Sequence, residues 1–238
     1  MRGARCEGWW RVPGTTTDGS GTGSATGTAA LSALLRAGTA DDHRAAESVP
    51  FVDRLVGGGL APGEYARYLR QLRVVYAALE RAVDAAPERL GPLGALVAGP
   101  LRRGPALAAD LAALAGDAGA GGDAAAPVLP AAREYADRVD AVGRTDPGAL
   151  AAHVYTRYLG DLAGGQVVAA GLRATGVGDA ALAFYRFDAP VPVLRRQVRE
   201  ALDALPLAGA ARAAVVVEAR RAFDHNRLLL LALGRQGT

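Results

Sequence analysis

The chain has 238 residues, 50% of them hydrophobic and 21% charged, with a formal net charge of +3 at pH 7. A chain of this length buries one sizeable core and does not require two domains. The 27 basic residues, all arginine, are spread among 24 acidic ones, so no basic block indicates a nucleic-acid partner. The single cysteine, Cys6, excludes a disulfide framework and suits a reducing, cytoplasmic compartment.

The two ends of the chain predict a tail and no membrane span. Residues 1–29 combine arginines with a Gly/Thr/Ser stretch and lack a continuous apolar core, which predicts a disordered tail without a targeting signal. The apolar run at 228–233 is far shorter than the roughly 20 residues that cross a bilayer. We therefore expect one soluble domain over residues 30–235, with no membrane association.

The spacing of apolar residues from about Leu31 onward predicts an all-α fold. No later segment shows the period-two alternation typical of strands. The clearest helix begins at Pro62, and steps of four and three place on one stripe Tyr65, Leu69, Leu72, Tyr76 and Leu79. Further helices are predicted at 28–47, 50–57, 101–115, 130–143, 179–186, 190–204 and 208–234. The fold is thus a single-domain bundle of eight or nine helices.

A second long helix is predicted from Thr145, as its N-terminal cap, with Pro147 in the first turn, to about Leu172. It contains Gly160, Gly164 and Gly165. Each interior glycine costs on the order of 1 kcal/mol relative to alanine, so a packing helix gains nothing from three of them. The glycines indicate that a ligand or another backbone needs the space of the missing side chains. The low-complexity segment 116–127 predicts a mobile loop.

Two pairs of residues at i, i+4 spacing are candidates for chemistry. Glu47 lies four residues after His43, where it can accept from one ring nitrogen while the other faces a metal. Arg157 and Asp161 have the same spacing within the glycine-rich segment. Each pair also has a plainer interpretation, because a lone helical histidine is usually solvated and an Arg–Asp pair is usually a surface ion pair.

The segment HVYTRYLGDLAGGQ, residues 153–166, resembles the signature of the heme oxygenase family, with Ala163 where serine is common. The residues around His43, Glu47 and Phe51 resemble the family's proximal segment. The other matching segments follow in the family's order: LRVVYAALE at 72–80, the spaced residues at 103–111, FYRF at 184–187, and Ala222, Phe223 and Asn226. In that register Arg36, Arg195 and Arg199 fall on the family's propionate-binding positions. Gly38 departs from the pattern and is expected to loosen the helix that carries Arg36.

The resemblance implies a heme oxygenase-type bundle in which heme b, both substrate and cofactor, lies between a proximal and a distal helix. It implies His43 as the iron ligand, with Glu47 fixing its tautomer. Gly160, Gly164 and Gly165 would let the distal helix approach the ring. It also implies that Asp161, Arg157, Tyr76 and Tyr155 hold a water network that delivers protons to bound oxygen. The propionate edge would be held by Arg36, Arg195 and Arg199, and the pocket wall formed by Phe51, Phe223 and Asn226.

The implied activity is cleavage of heme to biliverdin, carbon monoxide and Fe²⁺ with O₂. Its electrons would come from NADPH through a separate reductase or from a ferredoxin, and the enzyme would be a monomer. Two alternatives stay open: a heme-binding or heme-transfer protein without catalysis, and a helical bundle that ignores heme. His153 and His225 are expected to have structural roles and not to bind iron. Tyr65, Tyr68 and Tyr158 are expected to pack in the core.

Overall fold

The computed structural model describes residues 29–117 and 127–235, and all regular structure in those two ranges is helical. The predicted tail, including Cys6, and most of the predicted loop at 116–127 lie outside the described residues. The described helices are α1 Leu31–Gly38, α2 Ala40–Glu47, α3 Pro50–Val56, α4 Pro62–Asp84, α5 Pro92–Ala98, α6 Gly104–Asp117, α7 Pro130–Thr145, α8 Pro147–Val154, α9 Gly160–Ala174, α10 Val191–Asp203 and α11 Gly209–Gly234. The all-α prediction is confirmed.

The number of helices differs from the prediction because short segments break the chain more often than periodicity indicates. The helix predicted at 28–47 is two helices that meet at Thr39, whose hydroxyl donates to Leu35 O at 2.8 Å. Helix α5 was not predicted, and 179–186 forms two 3₁₀ turns, Asp179–Ala181 and Ala183–Tyr185, rather than a helix.

Gly38 lies at the end of α1, and the expected loosening of that helix stays a prediction. A Cβ at Gly38 would collide with the side chain of Val216 on α11, so the glycine permits α1 to end in close contact with α11. Arg36, two residues earlier, lines the central cavity. The departure from the family pattern therefore serves packing between two helices.

The second long helix begins one residue later than predicted and is not a uniform α-helix. Its cap is Asp146, whose Oδ1 accepts from the N–H of Ala149 at 3.0 Å, whereas the Thr145 hydroxyl closes the end of α7. Between α8 and α9 the five residues Tyr155–Leu159 form a π-helical segment. Such a segment shifts the register of the side chains that follow, and π-helical turns are frequent at functional sites.

Helix α4 forms the centre of the core. The stripe predicted from its spacing is fully buried, and the helix as a whole packs against α6 and α7. Helices α1 and α2 lie on one side of the central cavity and the π-helical segment with α9 on the other, with α10 and α11 also contributing walls. None of the helices in the described ranges combines the length and the apolar stretch that a membrane span requires.

Candidate active site

A cavity of about 490 Å³ opens between α1, α2, α9, α10 and α11. It collects almost all of the site residues predicted from sequence. The predicted residues that line it are Arg36, His43, Glu47, Tyr155, Arg157, Gly160, Asp161, Gly164, Gly165, Arg195, Arg199, Phe223 and Asn226. These positions span most of the described chain, so only the folded structure brings them together.

The wall formed by α2 carries a histidine prepared to act as a ligand. The Nδ1 atom of His43 lies 3.3 Å from Glu47 Oε2, and the side chain is 31% exposed, toward the cavity that it lines. The ring packs edge-on against Phe223, with 5.6 Å between the ring centroids. Because Glu47 lies beside Nδ1, Nε2 is the ring nitrogen that could bind a metal.

The opposite wall holds a buried polar cluster around Arg157 and Asp161. Arg157 Nη2 lies 3.5 Å from Asp161 Oδ1, and its Nη1 donates to Asn226 Oδ1 at 2.5 Å. The Tyr76 hydroxyl donates to Asp161 Oδ2. Both members of the Arg157–Asp161 pair have side chains less than 10% exposed, so the pair is not the surface ion pair that spacing alone allowed.

Burial raises the pKa of Asp161 above its usual range, although Arg157 and the hydrogen bond from Tyr76 oppose this increase. Burial also raises the pKa of Tyr76 well above its usual range. A carboxyl group with raised proton affinity beside a cavity is the kind of group that holds or passes a proton during catalysis. The cluster is therefore suited to proton transfer at the cavity wall.

The glycines of α9 differ in what surrounds them. Outside its own helical turn, no described residue has an atom within 4 Å of a Cβ built at Gly160, so the cavity is open above the backbone there. A Cβ at Gly165 would lie 2.9 Å from Cδ1 of Tyr185. Gly160 leaves room for a ligand against the helix, whereas Gly165 leaves room for the Tyr185 ring.

One edge of the cavity is basic. Arg36 from α1 and Arg195 and Arg199 from α10 line it. Burial and the charge of Arg199 lower the pKa of Arg195. Tyr155 lies at this edge, with its hydroxyl 3.5 Å from Thr39 Oγ1, and its part in the proton network stays a prediction.

The cavity therefore has one imidazole on one wall, an open stretch of helix backbone on the other, and cations along one edge. These features fit a flat, metal-containing macrocycle with acidic substituents, since imidazole binds iron and arginine pairs with carboxylates. In a comparison with protein families, the heme oxygenase model matches residues 29–232. The chain belongs to the heme oxygenase family.

Individual relatives agree with the family assignment. The chain is 34% identical to heme oxygenase 1 of Gallus gallus over 213 residues, covering 85% of this chain and 69% of the relative. It is also 34% identical to the heme oxygenase of Guillardia theta over 202 residues, covering 82% and 83% of the two chains. The crystal structure of heme oxygenase-1 from Synechocystis in complex with heme superposes with a TM-score of 0.78 at 31% identity, covering 87% of this chain and 94% of that one. Cleavage of heme to biliverdin is the activity of this family.

Two predicted site residues of this heme oxygenase do not line the cavity. Tyr76 lies behind the wall and reaches the site through its bond to Asp161. Phe51 is 2% exposed and packs on Tyr68, with 5.6 Å between ring centroids, so it supports the wall from behind. Tyr76 belongs to the stripe on α4 that spacing predicted, whereas Phe51 was predicted as pocket wall and is instead core.

Sequence reasoning also missed residues that the fold brings to the site. Tyr68, predicted as core, and Tyr185 both line the cavity. Asn226, predicted as pocket wall, bonds directly to Arg157. The step of four from Tyr68 through Leu72 to Tyr76 would have placed Tyr68 on the same stripe as Tyr76.

The other two histidines have the structural roles predicted for them. His153 is fully buried, and its Nε2 lies 3.0 Å from Glu218 Oε1. His225 stacks on Tyr135, with 5.3 Å between ring centroids and 15° between planes. Neither residue lines the cavity that contains His43.

Proposed function

We propose that this member of the heme oxygenase family binds heme in the central cavity and cleaves it to biliverdin, carbon monoxide and Fe²⁺ with O₂. The observation that carries the proposal is the opposition of His43 to Gly160 and Asp161 across one cavity. The electrons would come from a separate reductase or a ferredoxin. We further propose that the enzyme acts as a cytoplasmic monomer.

The first task of the residues is to bind the substrate and to orient it. His43 would hold the iron through Nε2, and Glu47 beside Nδ1 would favour the tautomer that this requires. Arg36, Arg195 and Arg199 would pair with the propionates, and two guanidinium groups that repel each other gain most from an anion between them. At a partly exposed edge each pair contributes about 1 kcal/mol or less, so the edge sets rotation of the ring more than affinity.

Heme supplies the iron that binds O₂ and the meso carbon at which the ring is opened. The protein supplies a wall without a side chain at Gly160, so that helix backbone lies directly against the reacting face. Its small neighbour Gly164 lines the same wall. Ring opening at one position follows from a substrate held in one rotation beneath a closely approaching helix.

Asp161 is the group placed to handle protons at this wall. Tyr76 donates to one carboxylate oxygen and Arg157 approaches the other, which orients the carboxyl group while leaving it at the cavity surface. Arg157 is in turn held by Asn226. Ordered water between Asp161 and the substrate would receive protons in a fixed direction, because every partner of the carboxylate is itself fixed.

An absorption series on the purified protein tests this function. Hemin is added, followed by a reductase system with an iron chelator in air, and the His43→Ala variant serves as the comparison. Loss of the Soret band with growth of a biliverdin band in the wild type supports the proposal. A heme spectrum that persists through many equivalents of reductant would indicate a heme carrier, and an unchanged hemin spectrum on mixing would indicate a protein that ignores heme.

A further inference from the structure

The cavity has a second polar end, outside the cluster of Arg157 and Asp161. Three tyrosines form it, and we refer to Tyr65, Tyr68 and Tyr185 as the tyrosine group. Tyr68 and Tyr185 line the cavity, and Tyr65 lies behind them. Their exposed fractions are 0% for Tyr65, 7% for Tyr68 and 3% for Tyr185. Three phenylalanines would bury as much apolar surface without the cost of burying three hydroxyl groups, so the hydroxyls call for a polar partner.

Polar atoms of this region lack protein partners. Within residues 29–117 and 127–235, the hydroxyls of Tyr65 and Tyr185 are buried and form no hydrogen bond of normal geometry, and their interaction with each other is the smallest effect on the pKa of Tyr65. Arg157 Nε is likewise buried without a hydrogen-bond partner in these ranges. Buried polar groups in native proteins are almost always bonded to protein or to ordered water. A polar recess with several donors and acceptors beside a cavity meets the conditions for holding water.

The tyrosine group faces the catalytic cluster. Tyr68 and Tyr76 lie two turns apart on α4, about 12 Å along the helix axis. Burial and the nearby carboxylate of Asp161 raise the pKa of Tyr68, and the Arg157 guanidinium lowers it by less. The same two charged groups act on Tyr185. Water bonded to the tyrosine group is therefore within the electrostatic reach of the proton-handling residues.

Hydrogen bonds from other elements to the backbone around Tyr185 hold this segment in place. Gln166 on α9 donates to the Tyr185 carbonyl at 2.9 Å. Asp110 accepts from the N–H groups of Ala183 and Phe184 at 2.6 and 2.8 Å, and Arg103 donates to the carbonyls of Phe184 and Arg186 at 3.2 and 2.7 Å. These bonds fix a short irregular segment, so the Tyr185 ring has a defined position on the wall.

We propose that the tyrosine group holds ordered water that joins Arg157 and Asp161, and that Tyr68 is the positioning residue that links the two polar ends of the cavity. This role in proton supply rests on the function proposed above. Each hydroxyl or water accepts one proton and passes another on, so the tyrosines end each transfer neutral and unchanged. Burial raises the pKa of Tyr65 and Tyr185 well above the usual range, which keeps both protonated at neutral pH.

The first test uses the apoprotein and requires no activity. A high-resolution crystal structure of the wild type is compared with that of Tyr68→Phe, which keeps the ring and its packing on Phe51. We expect water within hydrogen-bonding distance of the Tyr68 and Tyr185 hydroxyls in the wild type, and loss of the water at residue 68 in the variant. A dry tyrosine group in the wild type overturns the proposal.

The second test uses the heme complex, with Tyr158→Phe as the matched control. The Tyr158 hydroxyl is also buried without a partner in the described residues, but Tyr158 does not line the cavity. We expect Tyr68→Phe to bind hemin as the wild type does, to form biliverdin about threefold or more slowly in a single turnover, and to show a larger solvent isotope effect. Equal rates and isotope effects in Tyr68→Phe and the control overturn the linking role.

The two tests separate the failure of this inference from the failure of the proposed function. A wild type that forms no biliverdin contradicts the proposed function. The crystal structures of the apoprotein show whether the water is present, whatever the activity. Ordered water that persists unchanged in the Tyr68→Phe crystal structure would show that Tyr68 does not position it and would overturn its assignment.

Discussion

Replacement of Gly160 by alanine should stabilise the apoprotein and impair the enzyme. The backbone at Gly160 is helical, with φ −60° and ψ −49°, and outside its own helical turn no described residue has an atom within 4 Å of a Cβ built there. Alanine fits this geometry without strain and reduces the entropy of the unfolded chain, a gain of about 0.4–1 kcal/mol. For a domain of this size the melting temperature should rise by about 1–4 °C.

The same methyl group enters the cavity from the wall that we assign to the reacting face. It extends about 1.5 Å from Cα, toward the space where the ring would lie. Displacement of a substrate by about 1 Å from its reacting geometry costs on the order of 100-fold in rate. We therefore expect Gly160→Ala to form biliverdin at least about tenfold more slowly, with hemin bound less tightly or in a shifted position.

Differential scanning fluorimetry of the apoprotein and single-turnover absorption of the heme complex measure the two effects. Gly165→Ala is the matched control on the same helix. Its Cβ would press on the Tyr185 ring at 2.9 Å, so this variant should melt at a lower temperature than the wild type. A Gly160→Ala variant that is destabilised, or that turns over at the wild-type rate, would refute our interpretation of the open space at Gly160.

Three further predictions follow from the site and the core. His43→Ala should weaken hemin binding in a spectroscopic titration and lose the imidazole signature of the heme spectrum, with added imidazole restoring it; unchanged affinity would exclude His43 as the ligand. Asp161→Asn should bind hemin normally but lose about 100-fold or more of its biliverdin-forming rate, and a wild-type rate would remove Asp161 from proton transfer. Burial raises the pKa of Glu218. Hydrogen bonds from His153 and Arg138 lower it by more, so the net pKa lies well below its usual range. The carboxylate therefore stabilises the fold above its unfolded pKa, and this stability is lost as the pH falls. Glu218→Gln should lower the unfolding free energy at pH 7 by on the order of 3 kcal/mol, and the variant should lose less stability in acid than the wild type. Urea titrations at several pH values measure both effects. A variant that loses stability in acid as steeply as the wild type would contradict this assignment.

Patterns of spacing predicted the elements that pack a regular face against the core. The stripe on α4 and the placement of Pro147 in a first turn are local properties, because helical periodicity and proline geometry act within a few residues. The break at Thr39 and the 3₁₀ turns at 179–185 were not predicted. They depend on contacts with α11 and with Asp110, which are distant in sequence.

Spacing predicted an all-helical protein, and the resemblance of its motifs to the heme oxygenase family named most of the residues that line the cavity. Neither could show that Arg157 and Asp161 are buried, that Tyr155 stands at the basic edge, or that Tyr68 and Tyr185 share the cavity with them. Helical spacing reports which face of a helix is buried and not what that face meets. Burial, pKa and hydrogen-bond partners arise where α4, α9 and α11 converge, and that convergence exists only once the chain has folded.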